Sequence, residues 1–284
     1  MKKWHHRHRP LDWIRLILLN LFFLVLCFIV VVPILYAVNI SFSGAADSLS
    51  TATFFPSQFT FENYRKILFD YPFFTWLGNT VLLALGTTLF TLIPAVFGAY
   101  AFASKRFHGR KLMLYVLLVL NAFPAVLTMF ALFRLFKDWH LLNSFWGLIV
   151  IYSGSLTIFS IWNMKGYFES IPSPIQEAAK IDGANEAQVL FQIVLPLARP
   201  AIIVTSILVL ISVWNEYIFA TTFLTGEGSY TLAAGLYTLQ HNDYTRLWPL
   251  FAAGSILISL PILIIFYAMQ RYMVSGLTAG GVKE

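Results

Sequence analysis

Long apolar runs and short polar breaks alternate along this chain, and the length of the runs sets the first expectation. A helix that crosses a bilayer needs roughly 20 apolar residues, each advancing it about 1.5 Å. Six stretches meet that requirement: Leu16–Tyr36, Thr80–Ala103, Leu112–Phe133, Phe145–Asn163, Ala201–Phe223 and Phe251–Gln270. The breaks between them are turn-rich or charged. The pattern predicts an all-α, polytopic membrane protein with six transmembrane helices. Pro94, Pro124 and Pro261 fall inside the runs. They are expected to kink or interrupt their helices, because proline has no N–H to donate and its ring crowds the preceding turn.

One polar island stands out between the fourth and fifth runs, Ser173 to Pro200, S-P-I-Q-E-A-A-K-I-D-G-A-N-E-A-Q-V-L-F-Q-I-V-L-P-L-A-R-P. Ser173 can cap a helix with Pro174 at its first position and Gln176 completing a capping box. Gly183 supplies the left-handed residue that ends it. Asn185 can start a second helix with Gln188 three residues on, and Pro196 is expected to stop it. The result is two short helices meeting at a glycine corner. Ile175, Ala178, Ala179 and Asp182 share one face of the first, and the alanines permit close approach. Ala187, Leu190, Phe191 and Val194 form an apolar stripe on the second. Spacing alone leaves open an amphipathic connector on the membrane surface and a docking element for another protein.

Composition supports the membrane reading. The 284 residues are 58% hydrophobic and 11% charged, against about 25% charge in a soluble domain. The placement of positive charge orients the spans, since cytoplasmic flanks carry the excess of Lys and Arg. Fourteen of the 19 lie on one side: Lys2, Lys3, Arg7, Arg9, Arg15, Lys105, Arg106, Arg110, Lys111, Lys165, Lys180, Arg199, Arg271 and Lys283. Arg65, Lys66, Arg134, Lys137 and Arg246 fall on the other. Both termini and the island are therefore expected in the cytoplasm. The chain divides into a basic N-terminal segment (1–15), a six-helix domain (16–270) with a cytoplasmic loop at 165–200, and a C-terminal tail (271–284). Trp13, Trp76, Trp139, Trp146, Trp162 and Trp248 fall near span ends, where indole rings sit at headgroup level; Trp214 is mid-span. The first apolar run is too long for a cleavable signal peptide and lacks a small-residue cleavage site.

Candidate chemistry is sparse. The single cysteine, Cys27, lies in an apolar run, so neither a disulfide framework nor a cysteine metal site is expected. His5, His6 and His8 read as part of a basic juxtamembrane tail rather than a metal site. The remaining histidines, His108, His140 and His241, fall in separate loops. Neither a phosphate-binding G-x-x-x-x-G-K-[ST] loop nor a dinucleotide fingerprint occurs, and H-E-x-x-H and G-x-S-x-G are absent. The chain is thus expected to bind no ATP, metal or other cofactor, to contact no nucleic acid, and to catalyse no reaction. Glu216 is the one charged residue well inside a predicted span, after Trp214 and Asn215. A carboxylate there is costly, so it should face a bundle interior, a cavity or a partner. A translocation path or gate and an interhelical packing cluster both fit. The outer segment from Asn39 to Gly78, with Phe54, Phe55, Phe59, Phe61 and Tyr64, suits an interfacial helix or a docking surface.

E-A-A-K-I-D-G-A at 177–184, followed by I-V-L-P at 193–196, resembles the cytoplasmic signature of permease subunits of binding-protein-dependent ABC importers. N-A-F-P-A-V-L at 121–127, K-G-Y-F-E-S-I-P at 165–172, W-N-E-Y at 214–217, S-Y-T-L-A at 229–233 and G-L-T-A-G-G-V-K at 276–283 resemble the carbohydrate branch, and within it the maltose/maltodextrin (MalG-type) permeases. The resemblance covers most of the chain. It implies a multi-pass subunit of a bacterial cell membrane (inner or plasma) that forms half of an oligosaccharide path. Its implied partners are a second permease subunit, two ATPase subunits that bind ATP and Mg, an extracytoplasmic sugar-binding protein and membrane lipid. It implies that Glu177, Ala178, Ala179, Asp182, Gly183 and Ala184 form the corner that docks on the ATPase. It also implies that Ala279, Gly280 and Gly281 belong to a tail reaching the ATPase pair. Trp214, Asn215 and Glu216 are then a gate or packing element, because in the maltose-type relatives the other permease subunit holds the sugar. An ion-coupled secondary transporter is the competing class, and it would need more intramembrane charge than Glu216. A scaffold that recruits a cytoplasmic protein through the island is the third.

Overall fold

The computed structural model describes residues 10–44, 58–241 and 248–279. Its elements run α1 (Pro10–Ser41), α2 (Glu62–Phe69), α3 (Phe73–Ser104), α4 (Arg110–Asn121), α5 (Ala125–Asp138), α6 (Phe145–Ser170), α7 (Ser173–Ile181), α8 (Glu186–Gln188), a π-helical turn (Val189–Val194), α9 (Leu195–Leu197), α10 (Arg199–Trp214), α11 (Ile218–Phe223), α12 (Leu232–His241) and α13 (Trp248–Ala279). Among the described residues the one β-type contact is an isolated bridge between Ser43 and Phe59. This is the arrangement a hydrocarbon environment permits, because a helix satisfies its own backbone groups where no water can.

Among the described residues four helices, α1, α3, α6 and α13, are long and apolar enough to cross a membrane alone, and up to six spans result if each of two bent helix pairs is one span. The third predicted span is one of these pairs. Its helix stops at Asn121 and restarts after Pro124, with a 90° bend. Proline disfavours a helical conformation in the residue before it, which accounts for the break. Pro94 and Pro261, by contrast, lie inside the continuous helices α3 and α13. The fifth predicted span is also interrupted, but not as one helix from Ala201 to Phe223. The chain leaves helical geometry after Trp214, passes through Asn215, Glu216 and Tyr217, and resumes at Ile218. The second bent pair lies earlier, at Ala198, where 186–197 meets 199–214 at 74°.

The α3–α6 pair is the spine, with α10 against α3 and α1 against α13. Small residues let the spine helices approach closely, as is usual where lipid offers no hydrophobic drive between helices. Ala84, Ala95 and Ala99 of α3 are fully buried. A Cβ on Gly86 would stand 2.7 Å from Ile149 Cδ1 of α6. By contrast α1 is exposed on nearly all of its apolar surface, as a helix facing lipid or another subunit must be. Cys27 is exposed on it.

Trp76 is buried inside the protein rather than open to its surroundings. It is 2% exposed, donates from Nε1 to the Glu227 carbonyl at 2.8 Å, and lies where a Cβ on Gly235 would meet its ring at 2.4 Å. With Asn79 donating to the Gly228 and Tyr230 carbonyls, and the Thr80 hydroxyl accepting from Leu232 N–H, it pins the turn before α12 onto α3. Part of the aromatic outer segment folds on itself. Phe42 stacks on Phe59 at 4.6 Å, Phe61 and Tyr64 close around them, and Asn63 donates to the Ser41 and Ser43 carbonyls. Phe54 and Phe55 lie outside the described residues.

Candidate functional sites

The island forms two helices at a glycine corner, with two departures from the expected caps. Ser173 does not cap; Pro172 holds that position and Ser173 is already helical, while Pro174 sits in the first turn. The corner itself follows the sequence. Gly183 has φ +89°, its N–H bonds the Lys180 carbonyl, and the Ala184 N–H bonds the Ala179 carbonyl at 2.9 Å. These two bonds are the pair that closes a helix in the Schellman arrangement. Asn185 then caps α8 reciprocally with Gln188: Gln188 N–H to Asn185 Oδ1 at 2.9 Å, and Asn185 N–H to Gln188 Oε1 at 2.8 Å.

Pro196 does not stop the second helix. The helix widens to a π turn over Val189–Val194 and passes through Pro196 to Leu197. Such a turn removes the usual i−4 partner just where proline cannot use it, and rotates the downstream residues on the helix. The buried set becomes Val189, Leu190, Val194 and Ala198, packed with Ala95, Ala99 and Phe102 of α3 and Met164 and Phe168 of α6. Ala187 and Phe191, expected on the apolar stripe, are exposed.

The docking corner divides. Glu177, Ala178, Asp182 and Gly183 face outward, whereas Ala179 and Ala184 pack inward against the α3–α6 cluster. Ile181, which the sequence reading did not single out, is 85% exposed at the tip. An isoleucine between Lys180 and Asp182 was the available signal.

Glu186 was also missed, and no local pattern marks it, because one of its partners is 81 positions away. Its carboxylate accepts from Lys180 Nζ at 2.8 Å and from Lys105 Nζ, with the Tyr100 hydroxyl 3.3 Å from Oε2. The two ammonium groups hold its pKa at about 2. Lys105 caps the C-terminal end of α3, where a cation also suits the helix dipole. One turn on, Arg110 Nη1 donates to the Lys105 carbonyl, and Nη2 pairs with Glu169 of α6 at 3.2 Å. Lys165 pairs with the same carboxylate at 2.7 Å.

Trp214, Asn215 and Glu216 are adjacent in sequence but open in different directions. Trp214 is 3% exposed and donates from Nε1 to the Ile258 carbonyl of α13. Asn215 returns its amide to the Ile211 carbonyl and faces a cavity of about 420 Å³ with Tyr217, Tyr237 and Gln240. Glu216 faces a separate, mostly apolar cavity of about 1030 Å³ between α5, α6 and the α10–α11 break. It accepts the N–H groups of Phe219 at 2.8 Å and Ala220 at 3.2 Å, and the hydroxyl of Tyr152 on α6. A carboxylate at a helix N-terminus satisfies donors that would otherwise be orphaned. The break is thus built around this side chain. Ala279 is the last residue of α13, and Gly280 and Gly281 lie outside the described residues.

Comparison with known proteins fits this architecture. Residues 95–278 match the family described as "Binding-protein-dependent transport system inner membrane component". The chain is 36% identical over 274 residues to the galactooligosaccharides transport system permease protein GanQ of Bacillus subtilis, covering 95% of this chain and 96% of that one. It is 35% identical over 288 residues to the maltose/maltodextrin transport system permease protein MalG of Yersinia pestis, covering 95% and 94%. Among solved structures, a chain of a bacterial ABC transporter involved in the import of the acidic polysaccharide alginate superposes with a TM-score of 0.79 at 27% identity, covering 93% and 98%. The family model spans most of the chain and the relatives nearly all of it, and a multi-pass helical bundle fits both: this protein belongs to the inner-membrane permeases of binding-protein-dependent sugar ABC importers and is a multi-pass protein of the bacterial cell membrane.

Proposed function

We propose that this chain forms one half of the translocation path of an ATP-driven importer for maltose/maltodextrin-class oligosaccharides. A second permease subunit supplies the other half, two separate ATPase subunits bind ATP and Mg, and an extracytoplasmic binding protein delivers the sugar. Both termini and the island lie in the cytoplasm, following the distribution of Lys and Arg. The chain itself binds no cofactor and makes or breaks no bond. The observation that carries this reading is the Gly183 corner. Two short helices, closed by backbone bonds and a reciprocal cap, present Glu177, Ala178, Ile181 and Asp182 outward and pack their other face on the α3–α6 spine. That is the construction of a lever: a rigid tip for the ATPase and a packed base in the membrane domain. Ala179 and Ala184 belong to the base. Ala279, Gly280 and Gly281 supply a further contact with the ATPase pair. Glu216 holds the break in the fifth span as part of a gate, with Trp214 and Asn215 on its other side.

Replacing Gly183 with tryptophan tests this directly. The positive φ penalises any side chain, and the indole occupies the docking face. With the purified transporter in proteoliposomes, uptake and sugar-stimulated ATP hydrolysis should both be lost while the subunits still assemble. Unimpaired uptake and stimulation would refute the lever. The likeness to GanQ favours galactooligosaccharides as the second reading of the cargo. Equilibrium binding of glucose and galactose oligomers to the partner binding protein decides between the two.

A further inference from the structure

The island has a second device besides its glycine corner. Glu186 is the first residue of α8, and both of its oxygens are engaged by groups from other elements. Oε1 takes Lys180, in the last turn of α7; Oε2 takes Lys105 and Tyr100, at the C-terminal end of α3. The Lys180–Glu186 pair spans the Gly183 hinge from one side to the other. The backbone bonds at the hinge set its angle, but a glycine between two short helices is the place where a lever would flex. A strap across it makes α7 and α8 move together. The Lys105 contact then joins that body to the turn between α3 and α4, and Arg110 continues the connection to Glu169 of α6.

We propose that Glu186 is a positioning residue for transport, strapping the glycine hinge shut through Lys180 and passing the lever's displacement to the α3–α4 turn through Lys105. The inference rests on the coupling role of the island proposed above. Its value is geometric rather than a contribution to stability, because Glu186 and Lys180 are exposed, and such pairs hold a fold together only weakly. Removing the strap should therefore leave folding and assembly alone and make ATP hydrolysis less productive.

The readout is the number of ATP molecules hydrolysed per sugar imported, measured on the complete transporter in proteoliposomes. In Glu186→Gln and in Lys105→Gln that ratio should rise about fivefold, the lower end of ordinary coupling between sites. Assembly and sugar-free hydrolysis should be unchanged. The exchange Glu186→Lys with Lys105→Glu and Lys180→Glu, which restores opposite charges in both pairs, should bring the ratio back toward that of the unaltered protein. A normal ratio in either single variant, or no recovery in an assembled exchange variant, overturns the proposal. Gly183→Trp separates the two levels of inference. If it blocks uptake while Glu186→Gln behaves normally, only the strap fails; if it leaves uptake intact, the coupling role itself fails.

Discussion

The chain interrupts its helices at two polar places, Gly183 and Glu216, by opposite means. At Gly183 the interruption is local. A left-handed glycine, two backbone bonds and the Asn185–Gln188 cap all lie within ten residues, and the tip is exposed. At Glu216 the interruption is tertiary. The carboxylate caps α11 and is held by a tyrosine hydroxyl from α6, 64 positions earlier, at the wall of a cavity. In the proposed function the first break is a rigid corner for the ATPase to push. The second, whose shape depends on contact between two spans, serves there as part of the gate.

The contrast is sharpest under substitution. Glu216→Ala leaves the Tyr152 hydroxyl and the Phe219 and Ala220 N–H groups without their acceptor; at about 1 kcal/mol or more for each orphaned donor, thermal unfolding of the transporter should show a loss of roughly 3 kcal/mol. A loss no larger than that of a surface substitution would mean that the break at Glu216 is locally encoded after all. Glu216→Gln keeps one acceptor oxygen, so assembly should survive while the transport rate falls; an unchanged rate would leave the residue a packing role only.

Effects at the glycine corner should be smaller and local. No atom lies within 4 Å of a Cβ at Gly183, so Gly183→Ala meets only the cost of a left-handed backbone, about 1 kcal/mol. Asn185→Ala removes one cap and should cost a similar 1 kcal/mol or so, read as faster amide exchange over 186–190 with the rest of the chain unchanged. Protection lost on α3 as well would show that the corner is less independent than its bonds suggest.

The smallest effect is that of pH on the Glu186 pairs. Its pKa falls from 4.5 to about 2 on folding because Lys105 and Lys180 favour the charged form. A carboxylate whose folded pKa is depressed contributes stability that is complete above 4.5 and is lost as pH falls toward 2. The difference in melting temperature between the unaltered transporter and Glu186→Gln should be small at neutral pH and should shrink to nothing across that window.

Much of this protein is written in its sequence. The apolar runs determined which segments enter the membrane, because burial in lipid is a property of a run's own length and composition. The Gly183 corner and the Asn185–Gln188 cap were equally legible, since every partner in them lies within a few residues. Other features were decided only by packing. Pro196 is carried through a π turn because Val189, Leu190 and Val194 have a cluster on α3 and α6 to fill. Trp76, which reads as a headgroup anchor, is buried because the turn before α12 folds back over it. The fifth run reads as one span and is broken, because Glu216 finds its donors in the next helix and on α6. Glu186 finds Lys105 at the far end of another span. A carboxylate's position can be read from the sequence, but its partner cannot when that partner arrives from a distant helix, and such a partner decides how the break at Glu216 is held.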